Sequence, residues 1–136
     1  MAKNNERISL RASDGQELGA HAAWPEDEPV AGLVVVQEIF GVNAHIRRVT
    51  DAYAKDGFLA VAPALFDRIE PNVELGYEGE DAQRTRSFIP RVDMESAMLD
   101  VEAAVHYSAN PPARKLASSA TAGVDRWPGW QPLACR

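Results

Sequence analysis

The sequence predicts an α/β domain, an N-terminal hairpin followed by parallel βαβ units, closed by an irregular C-terminal tail. Three observations predict it. Two short runs flank an Asp-Gly turn signal near the start, two continuous apolar runs are separated by a segment of helical period, and past Lys115 neither period is present.

From Arg7 to Ala23 the runs Ile8-Ser9-Leu10 and Glu17 to Ala23 surround Ser13-Asp14-Gly15. Asp-Gly favours the positive-φ turns that join antiparallel strands, so this is a β-hairpin. After the acidic loop from Pro25 to Pro29, the stretch Ala31 to Val36 is apolar without alternation. That is the pattern of a parallel strand covered on both faces, expected at the centre of the sheet. From Ala44 to Asp56, Ile46, Val49, Ala52 and Tyr53 recur at helical spacing and Gly57 supplies a stop. Phe58 to Ala62, followed by Pro63, reads as a second buried strand, completing a strand-helix-strand crossover.

Leu65 to Gly79 has no clear period and is expected to be a long connection over the top of the sheet, where sites are often built. Asp81 to Phe88 predicts a short helix. Asp93 to Ser108 predicts a longer one, capped by Asp93, with Met94, Ala97, Met98, Val101, Ala104 and Val105 as its buried stripe. A strand should come next. Instead the chain runs through Pro111-Pro112 and Leu116 to Gly123 into a Trp/Pro/Gly-rich end. The expected division is therefore residues 1–115 as a domain segment and residues 116–136 as a tail unrelated to it.

At 136 residues and 46% hydrophobic, one domain is the ceiling. The net charge of -6 comes from scattered carboxylates with no basic stripe, which argues against nucleic acid or an anionic membrane as a partner. The single cysteine, Cys135, excludes an internal disulfide, and His21, His45 and His106 lie too far apart for a zinc motif, so no metal is expected. No apolar leader opens the chain and no run reaches the roughly 18 apolar residues of a membrane span. A reducing cytoplasm is the expected compartment.

The run Gln37-Glu38-Ile39-Phe40-Gly41-Val42-Asn43, at a strand end and before a helix, closely resembles the QEIFGVN signature of the dienelactone hydrolase (carboxymethylenebutenolidase) family. Asp56 to Pro63, Asp14-Gly15 and Asp93-Met94-Glu95 support the match, which covers about residues 7–115, the N-terminal half of such a protein. The resemblance implies an α/β-hydrolase fold and hydrolysis of a small lactone or ester without metal or organic cofactor. It implies a cysteine thiolate as nucleophile, a histidine as base and an aspartate orienting that histidine. Glu38 matches the glutamate that contacts the resting cysteine and helps switch it to thiolate. The backbone N–H of Ile39 matches one oxyanion donor, the amide after the nucleophile being the other.

Each candidate has a plainer reading. For Glu38 that reading is a solvated strand-end carboxylate, and the whole surrounding string favours the family role over it. Arg84 and Arg86 lie where the family can place an arginine for a substrate carboxylate, yet they read as an exposed helix face. Cys135 sits between Ala134 and Arg136, not in a G-x-C-x-G elbow, so it is not expected to be the nucleophile. His21, His45 and His106 read as structural or exposed. The chain as written therefore lacks the three triad groups and is expected to be inactive, a non-catalytic fragment. A small binding module is the remaining alternative, with no motif behind it.

The tail carries one further signal. The family continues with a strand and elbow resembling V-G-V-V-G-Y-C-W-G-G. If each codon from Leu116 to Asp125 is read from its third base, the first two bases of Ala117, Ser118, Ser119, Ala120, Thr121, Ala122, Gly123, Val124 and Asp125 permit G-V-V-G-Y-C-W-G-G. The third bases are free and the dinucleotides, with each serine read as TCN, are not. Loss of one G from AAG GTT GGC writes Lys115, Leu116 and the start of Ala117. The expectation is a single-base frameshift near codon 116, with the nucleophile cysteine straddling the codons of Thr121 and Ala122.

Overall fold

The computed structural model describes residues 5–110. Strands β1 (Asn5–Arg11) and β2 (Glu17–Ala23) form the expected hairpin, with Leu10 opposite Leu18. Gly15 takes φ +92° in its turn, which L side chains rarely adopt, and the Asp14 carboxylate accepts from Gln16 N at 3.2 Å. Strand β3 (Ala31–Val34), helix α1 (Ala44–Lys55) and strand β4 (Phe58–Pro63) follow, with β3 and β4 parallel. A short 3-10 turn at Leu65–Arg68 follows β4, and helices α2 (Gly79–Phe88) and α3 (Met94–Ala109), joined by a 3-10 turn at Ile89–Arg91, complete the described chain.

The sheet order is β1-β2-β4-β3. This corrects one expectation: β4, not β3, is the interior strand of the described sheet. Leu59 to Ala62 are fully buried, whereas all four residues of β3 are half-buried because β3 has a single neighbour among the described residues. Apolar continuity reports cover on both faces but not the number of paired edges.

Alternation sorts the faces. Leu59 and Val61 of β4 join Leu10, Leu18, Ala20, Ala22 and Ala104 of α3 in one core, leaving the opposite face of the sheet to α1. A second cluster, Phe66, Val73, Leu75 and Phe88, with the Phe66 and Phe88 rings stacked at 5.1 Å, holds the long connection against α2.

Both helix stripes differ from expectation. In α1 the buried ridge is Ile46, Thr50 and Ala54, while Tyr53 is exposed; Thr50 is tolerated inside because its hydroxyl donates to Ile46 O at 2.7 Å. In α3 it is Ala97, Asp100, Ala104 and Ser108, with Met94 and Met98 exposed. Small residues bring α3 down onto the sheet, so close that a Cβ on Gly32 would lie 2.6 Å from Ser108 O. Asp100 is buried because Arg68 reaches it with two bonds, Nε to Oδ2 at 2.9 Å and Nη2 to Oδ1 at 2.8 Å. The same guanidinium bonds Asp14 at 2.7 and 3.0 Å, tying the hairpin turn to α3 and holding the Asp14 carboxyl below its usual range. These two carboxylates in turn raise the Arg68 pKa further above its already high ordinary value.

Candidate active site

The segment after β3 carries the seven-residue run Gln37 to Asn43, and most of its members are fastened. Gln37 accepts from Leu65 N at 2.9 Å, joining the run to the exit of β4. Gly41 takes φ +81°, and a Cβ there would lie 2.2 Å from Val73 O, so only glycine fits. The approach lets Gly41 bridge Glu74 while Leu75 N donates to Phe40 O at 2.9 Å. Asn43 caps α1 by accepting from Ile46 N at 3.1 Å, and its amide nitrogen donates to Leu75 O at 3.3 Å and to the Tyr77 hydroxyl at 3.2 Å. The Tyr77 ring meets Phe40 edge-on at 4.4 Å. Arg47 donates to Val42 O at 3.0 Å and pairs with Glu74.

Glu38 and Ile39 are the members left over. Both are exposed and adjacent, in the loop that follows the C-terminal end of β3, within the tight turn that Gly41 N closes onto Glu38 O at 3.4 Å. Among the described residues, neither the Glu38 carboxylate nor the Ile39 backbone N–H has a hydrogen-bond or ion-pair partner. An unpaired acceptor and an unpaired donor thus stand side by side on a loop that its other residues hold still. Ligand crevices of parallel sheets lie at this end of the strands.

The other candidates are scattered. His45 is exposed at the start of α1, and His106 in the last turn of α3. Arg84 pairs with Glu70 and lies over the Phe88 ring, and Arg86 is exposed. Cys135 lies outside the described residues, as does the tail read in the second frame. Sequence reasoning missed one pair: His21 Nε2 sits 2.7 Å from Asp51 Oδ1, whose other oxygen accepts from Asn5 Nδ2 at 2.9 Å. No local pattern links positions 30 apart on β2 and α1. Among the described residues no group of three or more His, Cys, Asp or Glu side chains is arranged to hold a metal ion. Nor is any of their helices long and apolar enough to cross a membrane.

Architecture and strand order define an α/β protein with its candidate crevice at the strand ends, and comparison with known proteins narrows the class. The model of the dienelactone hydrolase family matches residues 18–119, and the chain belongs to that family. It is 36% identical over 109 residues to a carboxymethylenebutenolidase of Pseudomonas putida, covering 79% of this chain and 46% of that protein. It is 40% identical over 90 residues to a Synechocystis protein named "Putative carboxymethylenebutenolidase", covering 62% of this chain and 37% of the relative. Among solved structures, the "Putative Dienelactone Hydrolase" of Klebsiella pneumoniae superposes with a TM-score of 0.61 at 26% identity, over 76% of this chain and 43% of that one. These neighbours carry the α/β-hydrolase fold. The chain spans less than half the length of each of these relatives.

Proposed function

We propose that residues 1–115 are the N-terminal part of a hydrolase acting on a small lactone or ester, and that residues 116–136 are its continuation read one base out of frame. Glu38 and the Ile39 N–H are the two groups of the reaction centre carried by this part. The observation behind the reading is their shared lack of partners on an otherwise fastened loop.

The family resemblance supplies the chemistry, and the two unpaired groups suit it. A thiol brought beside Glu38 would give its hydrogen bond, and then its proton, toward an acceptor that has nothing else to bind. The resulting thiolate attacks the acyl carbon. Negative charge collecting on the carbonyl oxygen would be met by the Ile39 N–H, which has no other partner among the described residues. Relatives named for butenolide chemistry support a lactone or ester as the bond cleaved. Nothing in the proposal calls on a cofactor, nucleic acid or a membrane.

The exit of α3 fits the second half of the proposal. Ser108 rests against Gly32 near the start of β3, so the chain departs after Asn110 from the end of the sheet where a strand parallel to β3 would begin. The outer edge of β3 is unpaired among the described residues. A strand of the restored frame, V-G-V-V-G-Y-C, running along that edge would end with its cysteine beside Glu38. The polypeptide as written carries no such residue there, and we expect it to be inactive.

Genomic sequence across codons 110–136 is the first test. Third bases from Leu116 to Asp125 incompatible with G-V-V-G-Y-C-W-G-G would end the frameshift reading. With one G restored at the locus, the longer product should hydrolyse a dienelactone or an activated aryl ester. Glu38→Ala should lower its turnover by about 100-fold or more, a loss typical of a group that moves a proton. The 136-residue chain should match a heat-treated control; turnover in that chain, abolished by Glu38→Ala, would refute its expected inactivity.

A further inference from the structure

We propose that Gln37 is a positioning residue for the candidate centre, its side-chain amide fixing the direction of the Ile39 N–H. The use made of that N–H rests on the hydrolase reading; the fixing does not.

The Ile39 N–H belongs to the peptide unit whose carbonyl is that of Glu38. The unit is trans, and a trans peptide is planar with its N–H and C=O on opposite sides, so the groups that hold Glu38 O set where the Ile39 N–H points. Two donors hold it. Gly41 N reaches it at 3.4 Å, near the outer limit of a hydrogen bond, and Gln37 Nε2 at 3.1 Å. The side-chain bond is the shorter of the two.

Gln37 is itself tied down. Its Oε1 accepts at 2.9 Å from the N–H of Leu65, the first residue of the 3-10 turn that follows β4. A backbone N–H can only donate, so this bond decides which end of the amide is oxygen and leaves the nitrogen for Glu38 O. One planar amide thus spans from the exit of the interior strand to the peptide unit that carries the Ile39 N–H. The far side of the turn is fastened separately, by Leu75 N on Phe40 O and by the Phe40 ring against Tyr77. Gln37 therefore governs the near side, where Glu38 and Ile39 sit. Exchanging its amide nitrogen for oxygen would set two acceptors face to face, which rotation of the peptide unit relieves.

Backbone 15N relaxation of the 136-residue chain is the first arm of the test. The Ile39 amide of the parent should show an order parameter of about 0.85, as rigid backbone does. Gln37→Met, which keeps the length and removes both bonds, should lower it toward about 0.6. Gln37→Glu keeps the acceptor for Leu65 N but loses the donor to Glu38 O, and should do the same. The amides of the β1–β2 hairpin should not change in either variant. An Ile39 amide as ordered in both variants as in the parent, or a loss spread equally over the hairpin, would overturn the assignment. The frame-restored product is the second arm. There Gln37→Met should lower kcat about tenfold with KM within about twofold, the scale on which a misplaced donor costs rate. An unchanged kcat, in a product whose turnover Glu38→Ala abolishes, would also overturn it. A restored product with no turnover defeats the hydrolase reading instead, and the relaxation comparison then decides the role of Gln37 alone.

Discussion

Replacing Arg68 by methionine isolates the ion pair with the most deeply buried carboxylate among the described residues. The Asp100 side chain is 0% exposed and receives two bonds from a guanidinium itself only 19% exposed. Methionine fills similar volume, so the substitution removes charge and donors with little change of packing. What remains is a fully buried carboxylate without its counterion, a change that costs about 3–5 kcal/mol in buried pairs. Domains of this size are stable by roughly 5–15 kcal/mol, so the loss is a large share of the total. With a urea slope of roughly 1–3 kcal/mol per molar, a 3 kcal/mol loss lowers the midpoint by about 1–3 M. Urea unfolding followed by far-UV circular dichroism at neutral pH reads it directly. Adding Asp100→Leu to the same chain should restore most of the midpoint, because two apolar groups leave nothing unpaired. A single Arg68→Met variant within about 0.5 kcal/mol of the parent would refute the claim that Asp100 depends on it.

Three further outcomes follow from the same geometry. Gly41→Ala should cost about 2 kcal/mol or more, since it adds left-handed strain to a clash with Val73 O, and thermal unfolding will show it. Asn43→Ala should lose about 1–2 kcal/mol through its cap, whereas Glu38→Ala, with no partner to lose, should stay within about 0.5 kcal/mol by chemical denaturation. Asp14 is held below its ordinary pKa by Arg68 and Gln16, and Asp93 by the side chain and backbone of Ser96. Their contribution is therefore fully present above the ordinary aspartate value, about 3.9, and is lost as pH falls through their lower folded values. An acid titration of the unfolding midpoint should show Asp14→Asn flattening that loss.

Much of the fold was legible because its signals are local. Asp14-Gly15 needs a positive-φ turn, Asn43 and Asp93 stand one residue before helices whose first amides they satisfy, and the candidate pair Glu38 and Ile39 sits in a run whose other residues have visible backbone duties. Such information lies within a few residues and survives without knowing where the rest of the chain goes. Tertiary structure alone decided that β4 takes the interior place, that α3 buries Ala97, Asp100, Ala104 and Ser108 in place of its methionines, and that His21 meets Asp51. It also decided that Arg68 serves Asp100, 32 positions away. Periodicity says which face of an element is covered, but the identity of what covers it depends on strand order and on the close approach that Gly32 permits. Those are contacts between distant segments, and no short window of residues encodes them.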